Sequence, residues 1–582
     1  MGLLDGSTLS PDDLLMRVGR LARLTGDTVG AISAFSRLYY EYPLSEFSAA
    51  ASDQLEELDG PIESAATKGR VRLALGRAER LYALKRYTEA RAGFEHLRRD
   101  LPAADLARVQ LRLAECDLAL KRPRAARDSV KPLLDHDSLK TEALYVHAQA
   151  SRDLGNVDEF LRTVEQLSHE FPSDPWTEEA LNALATHFVV RDEDERADQT
   201  FRDLLSRFPK GPHAERAGWR IGWYAYRHGQ FAETVRVFEQ SAASFPRSDY
   251  RPSWLYWSAR SREALGQTAI ARERYELVAT DYLNTYYGRL AVRRLDGRTP
   301  QRSLTMEADL EWPTTTDDGE PAVAPAPLPP NQHVVRALLG LQLYDQAFDE
   351  LRYARSVWGD SSAIEATIGW IHHERGDLRL GINAMRRAYP QYMAAGGEQL
   401  PEPLLRVLFP VNYWPLIRQY AQEHDLDPYV VAALVAQEST FQADAKSAAN
   451  AYGLMQLLPS TGRFYARRMN LRYSLGLLTK AEPNLRMGTA FFADLVKQFG
   501  GVHYALASYN AGESRIVKWK SERGEVPQDQ FIDDIPFPET QNYVKRILGT
   551  AEDYRRLYPV ASGAPEGVLT PAASTTPAGS AA

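Results

Sequence analysis

The sequence predicts an all-α protein in two main parts, a solenoid of stacked helical hairpins and a second helical domain. Three observations predict it. First, "SHEFPSDPW", "LSRFPKGPH" and "AASFPRSDY" place Phe171, Phe208 and Phe245 at intervals of 37 residues, and Tyr282 of "ATDYLNTYY" stands one period later. Second, the stretches between these aromatic marks carry apolar residues at helical spacing. Third, the stretch "HDLDPYVVAALVAQESTF" is an apolar helix with its own start signal, far outside the repeat.

The repeat organises residues 1–297. In "AERAGWRIGWYAYRHGQFAETVRVFEQSAASFP" two amphipathic segments flank Gly229, expected at the inter-helix turn, with Ala232, Val235 and Phe238 as packing positions. Looser units lie around Tyr42-Pro43 and Leu101-Pro102. Units of this length resemble tetratricopeptide repeats, which stack because one hairpin alone cannot bury its apolar face. Residues 298–332 break the pattern: Pro313, Pro321, Pro325, Pro327, Pro329 and Pro330 are incompatible with helix interiors, so a linker or exposed loop is expected. Helical periodicity returns over 333–410, a helical linker domain, and continues through 411–559. Residues 560–582 have Glu566 as their only charge and are mostly Ala, Ser, Thr, Pro and Gly, a composition that predicts a disordered tail.

Composition narrows the function. The 582 residues, 44% hydrophobic and 25% charged, suffice for several buried cores of the soluble globular class. A net charge of -8 supplies no basic field for nucleic acid, and the twelve His form no ligand-like cluster, so neither a metal nor another cofactor is expected. Cys116 is the sole cysteine, expected to act as a small buried hydrophobe; it excludes intramolecular disulfides and leaves the compartment open. The start, "MGLLDGSTLSPDDLLMRVGRLARL", lacks the basic region and apolar stretch of a signal peptide. No run reaches the ~18 apolar residues of a membrane span.

Glu438 poses the chemical question. Asp427 is the expected N-cap and Pro428 the first helical residue, so the helix runs from about 428 to 438. Val431, Leu434 and Glu438 then fall on one stripe, with the carboxyl in the last turn. Apolar surroundings and the unpaired carbonyls of a helix end both disfavour the ionised form. A carboxylic acid that keeps its proton near neutral pH suits general acid catalysis; the plainer alternative is a Glu reaching solvent from a fraying helix end. In "AKSAANAYGLMQLLPST", Gly453 allows close backbone approach, Met455 offers an adaptable apolar wall, Gln456 brings a donor and an acceptor, and Pro459 opens another helix. "YALASYNAGESRIVKW" runs as a helix through Tyr509 and Asn510 to a stop at Gly512.

Taken in order, "ES", "GLMQ" and "SYNAG", followed by "IPFPETQNYV", resemble the soluble lytic transglycosylases of glycoside hydrolase family 23, lysozyme-like enzymes that cut peptidoglycan. The likeness covers about 150 residues, from "LFPVNYWPLIRQY" to "YRRLY". It implies that Glu438 is the catalytic acid and base, that Ser447 contacts the acetamido side of the substrate, and that Met455 and Gln456 form a groove wall and a sugar-binding amide. It implies further that Tyr509 and Asn510 orient Glu438 and the N-acetyl group, with Glu539 and Tyr543 as the carboxylate and tyrosine of the closing motif. "SYNAGES" departs from the pattern, with Ser508 and Glu513 where alanine and a small residue or proline are expected.

The activity implied is cleavage of the β-1,4 bond between N-acetylmuramic acid and N-acetylglucosamine, leaving a 1,6-anhydromuramic acid end. Peptidoglycan strands are then the partner, cell-wall machinery is a candidate partner of the solenoid, and the location is the periplasm or cell envelope, with Met1 an internal or trimmed start. The alternatives are a hydrolytic muramidase, with Asp444 or Glu539 activating water, and a non-catalytic scaffold that grips glycan.

Overall fold

The computed structural model describes residues 10–59, 68–98, 101–296, 329–393, 397 and 400–559. These residues form 29 α-helices, and their β pairing is confined to isolated bridges joining Lys446, Tyr452 and Leu457. The all-α expectation therefore holds. Of the Pro-rich stretch expected at 298–332, residues 298–328 lie outside the described residues, as does the tail expected at 560–582. The chain divides into two compact units, Met1–Ile364 with Met393–Ala395 and Glu365–Tyr392 with Gly396–Ala582, so the division falls within the stretch 333–410. No helix among the described residues is long and apolar enough to cross a membrane.

The first unit is a series of helical hairpins. Phe171, Phe208, Phe245 and Tyr282 cap the helices Val157–Glu170, Asp194–Arg207, Phe231–Ser244 and Thr268–Asp281, each amide still bonded to the carbonyl four residues back. The aromatic marks are thus the points where the second helix of each of these four hairpins stops. Within the hairpins, Gly26, Lys85, Lys121, Gly155, Asp192, Gly229, Gly266 and Gln342 all have φ between 57° and 81° and stand two residues before the second helix. A left-handed residue is the standard helix terminator, and glycine adopts it without a Cβ penalty.

The core repeats with the same period. Val164, Phe201, Phe238 and Tyr275 are buried one after another along the unit. Gly222 makes room for one of these rings, since a Cβ there would lie 2.2 Å from Phe238. The buried stripe of Phe231–Ser244 is Thr234, Val237, Phe238, Ser241 and Ala242; Ala232 is exposed and Val235 only half-buried, contrary to expectation. Helical spacing alone fits both stripes, and Phe238, which belongs to each, did not distinguish them. Cys116 is fully buried, and burial pushes its thiol up to about 12, which makes it the small inert hydrophobe expected.

In the second unit the helix Pro428–Ser439 is enclosed over Tyr429 to Val435, seven consecutive buried residues. A helix apolar on all sides belongs inside a bundle. It packs on the long helix Pro538–Leu557 and on Trp414–Glu423. The Tyr554 hydroxyl donates to the Pro410 carbonyl at 2.9 Å, Tyr558 to Phe409 at 2.9 Å, and Tyr429 to the Tyr558 carbonyl at 2.8 Å. These bonds tie the last helix to the segment entering the bundle and fix the frame that carries Glu438.

Candidate active site

The Glu438 helix begins as its sequence dictates: Asp427 caps it by accepting from the Tyr429 amide at 2.9 Å, with Pro428 in the first turn. It ends unusually. Thr440 and Phe441 follow at φ 52° and 60°, two consecutive non-glycine residues in the left-handed region. Each costs on the order of 1 to 3 kcal/mol, and for a β-branched threonine the conformation is a rare one. The sharp reversal leaves Glu438 half-buried in the last turn while Phe441 is anchored inside the domain. Burial pushes the Glu438 carboxyl up from its ordinary 4.5 to about 7, against a hydrogen bond from Tyr543 that pulls it down.

The two tyrosines divide the work differently from what the resemblance implies. The Tyr543 hydroxyl, from the helix Pro538–Leu557, donates directly to Glu438 Oε1. Tyr509 lies close enough for the Glu438 charge to raise its own pKa, after the larger effect of burial. Its hydroxyl, however, donates to the Met455 carbonyl at 2.6 Å. Tyr543 therefore holds the carboxyl, and Tyr509 braces the loop beside it. Asn510, exposed at the end of Val502–Ala511, accepts from the buried Thr540 hydroxyl at 2.6 Å, so its side-chain carbonyl is committed.

The "GLMQ" loop is held by a residue that its own sequence does not reveal. Asn484, fully buried on the helix Ala481–Phe499, accepts from the Met455 amide at 2.8 Å and donates to the Tyr452 and Leu478 carbonyls at 3.0 and 2.7 Å. Ser439, adjacent to Glu438, donates to the Leu454 carbonyl at 2.9 Å and joins the same loop to the Glu438 helix. Gly453 has φ 80°, and a Cβ there would lie 2.0 Å from the Leu478 carbonyl oxygen, so both conformation and space demand glycine. The one available signal for Asn484 was a lone amide on the apolar stripe Asn484, Gly488, Phe492 and Leu495.

Met455 is a correction: its side chain is fully buried against Gly488, so it belongs to the core, and only its carbonyl and amide serve the site. A thioether in a loop is equally suited to wall or core, and the packing partner lies 33 residues away along the chain. Gln456, at φ 46°, commits its amide hydrogens to the Gly453 and Ala445 carbonyls at 2.9 and 3.2 Å, leaving its carbonyl oxygen as the group that can address a sugar. The Ser447 hydroxyl accepts from the Ala451 amide at 3.1 Å and closes the turn beside this loop. Glu539 and Asp444 are both exposed, and neither contributes to the Glu438 pKa, which responds to burial and Tyr543 alone.

An all-α chain with helical hairpins in one unit and, in the other, one protonatable carboxyl enclosed by tyrosines defines a helical-repeat protein with a lysozyme-like domain. Residues 415–532 match the family model described as the transglycosylase SLT domain. Over 151 residues the chain is 32% identical to the soluble lytic murein transglycosylase of Salmonella typhimurium, a match covering 25% of this chain and 23% of that one. It is 35% identical over 147 residues to a putative soluble lytic murein transglycosylase of Haemophilus influenzae, 25% of each chain. The matches thus span about a quarter of the length of these curated relatives. Among solved structures, the lytic transglycosylase Slt of Pseudomonas aeruginosa shares the fold at TM-score 0.57 and 19% identity, covering 92% of this chain and 80% of that one. The 70 kDa soluble lytic transglycosylase of Escherichia coli does so at TM-score 0.50 and 19% identity, covering 94% and 89%.

Proposed function

We propose that this protein is a peptidoglycan lytic transglycosylase that acts in the periplasm, breaking the β-1,4 bond after N-acetylmuramic acid and closing a 1,6-anhydro ring. The observation that carries the reading is Glu438: a single carboxyl, raised to about 7, with Tyr543 on its oxygen. Near neutral pH a substantial fraction of such a group holds a proton to give.

A two-carboxylate glycosidase needs its second group about 5 Å away for retention or about 6.5 to 9.5 Å for inversion. The exposure of Asp444 and Glu539, and the absence of either from the charges felt by Glu438, favour a one-carboxylate reaction. The substrate then supplies the nucleophile. Glu438 gives its proton to the glycosidic oxygen as the acetamido oxygen of N-acetylmuramic acid attacks the anomeric carbon, forming an oxazolinium ion and releasing the neighbouring sugar. The resulting carboxylate takes the proton of the 6-hydroxyl, whose oxygen attacks the same carbon; the acetamido group is freed and the anhydro ring closes. Each attack is intramolecular and gains the corresponding proximity advantage.

Within this reading Tyr543 steadies the carboxylate formed in the first step, and the Gln456 carbonyl and Asn510 amide are available to the sugar. The name of the Pseudomonas aeruginosa structure describes a glutamate-to-glutamine variant of that protein as inactive, which accords with a lone carboxyl as the essential group. The test is turbidity loss of purified cell walls with wild type and Glu438→Gln. Loss of general acid-base catalysis lowers the rate by on the order of 10² to 10⁴. Unchanged lysis by the variant refutes the assignment, and clearance by neither protein favours a glycan-binding scaffold.

A further inference from the structure

The first unit pairs its half-buried arginines with carboxylates almost as a rule. Arg112 bonds Glu79, Glu115 and Glu142; Arg202 bonds Asp198 and Glu233; Arg262 and Arg274 share Glu239. A guanidinium taken from water without such a partner is costly, which explains the rule. One pair breaks it. Arg216 and Arg220 stand one turn apart on the helix Ala214–Arg227, and among the described residues neither bonds a carboxylate.

Their surroundings supply neutral acceptors to one guanidinium and, among the described residues, none to the other. Arg216 donates to two neutral acceptors on the preceding first helix of a hairpin, the Asn182 side-chain carbonyl and the Thr186 hydroxyl, the latter at 3.0 Å from both Nη atoms. Arg220 is half-buried beside it and makes no hydrogen bond or ion pair within the described residues. Burial first, and then the Arg216 charge, push the Arg220 guanidinium down to about 10. Asp194, the carboxylate within electrostatic reach, is bonded to Arg227. Tyr250 is the further polar group felt by both arginines. The pair is not a feature of the repeat: one period away in either direction stand Glu179 and Ser253 for Arg216, and Ala183 and Trp257 for Arg220.

We propose that Arg216 and Arg220 form a binding site for a small oxyanion, a carboxylate or a phosphate group, in the helical-repeat unit. The Asn182 and Thr186 bonds preset the Arg216 plane, and Arg220 supplies an uncommitted guanidinium fork of the kind that takes two oxygens of one planar or tetrahedral anion. The ligand replaces the carboxylate that Arg112, Arg202, Arg262 and Arg274 receive from the chain itself. This site is independent of Glu438 and of the reaction proposed for it.

The experiment is isothermal titration of the full chain with N-acetylalanine and, separately, with inorganic phosphate, for wild type, Arg220→Met and Arg220→Lys. Binding of either probe by wild type, weakened on the order of tenfold to a hundredfold in Arg220→Met and less in Arg220→Lys, supports the site and tells carboxylate from phosphate. The thermal midpoint is the second readout. Without ligand, Arg220→Met is expected to melt above wild type because an uncompensated cation has been removed, and the oxyanion is expected to raise the midpoint of wild type only. Neither probe binding wild type, equal binding by wild type and Arg220→Met, or binding abolished in Arg220→Met but unchanged by the probe in the melting of wild type would each overturn the proposal. If Arg220→Met fails to fold, wild type against Arg220→Lys decides by the same criteria.

Discussion

Replacing Glu438 by glutamine stabilises the folded protein, and the size of the effect depends on pH. Glu438 titrates at about 7 when folded and near its ordinary 4.5 when unfolded. The folded state therefore has its full advantage from this proton below about pH 4.5 and loses it as pH rises through 7. At about 1.36 kcal/mol per pH unit, the raised pKa of Glu438 makes the folded state about 3 kcal/mol less stable than a carboxyl of ordinary pKa would at pH 8, and about 1 kcal/mol less at pH 5. Glutamine keeps the shape and can still accept from Tyr543, but it does not ionise. Denaturant unfolding of wild type and Glu438→Gln at both pH values should thus show the variant gaining about 2.5 kcal/mol relative to wild type between pH 5 and pH 8. A difference that is independent of pH would mean that Glu438 ionises like a carboxyl in water, and the account of its chemistry would be wrong.

Other consequences are equally direct. Tyr543→Phe removes a hydrogen bond that favours the carboxylate, so the basic limb of the pH-rate profile should move upward by about one to two pH units; a downward shift would contradict the assignment of Tyr543. Asn484→Ala strands the Met455 amide and the Leu478 carbonyl and leaves the Tyr452 carbonyl with the Leu457 amide alone, and should lower the unfolding free energy of the second unit by about 3 kcal/mol with loss of cell-wall lysis. In the hairpin turns, Gly155→Ala should destabilise by about 1 kcal/mol, because nothing crowds its Cβ and only its φ of 81° opposes the change. Asp192→Gly, at φ 59° in the equivalent turn, should change the unfolding free energy by less than that in denaturant titration, relief of the backbone being offset by the entropy of glycine in the unfolded chain.

Legibility in the sequence followed the range of the forces involved. The Asp427 cap, the Pro428 start, the Pro459 start and the Gly512 stop are local, and the structure places each where the residues indicate. The 37-residue period was equally plain because an aromatic ends the second helix in successive hairpins from Val157 to Asp281. The hairpin turns were only partly legible: Gly155, Gly229 and Gly266 announce themselves, whereas Lys85, Lys121, Asp192 and Gln342 adopt the same left-handed conformation with no chemical signal. Within the site, the acidity of Glu438 could be argued from its own helix, but its partner Tyr543 stands 105 residues away. Tyr509 and Tyr543 could not be assigned to carboxyl and loop from sequence, since a hydroxyl donates to any acceptor within reach and tertiary packing decides which. Asn484 and the burial of Met455 were hidden for the same reason.

Whether one acid and the substrate's own groups suffice for bond cleavage is tested most directly by mass analysis of the products released from purified peptidoglycan in oxygen-labelled water. Wild type is expected to form 1,6-anhydromuramic acid ends carrying no label, and Glu438→Gln to form none. Reducing ends that carry the label would show that water, and not the 6-hydroxyl, completes the reaction.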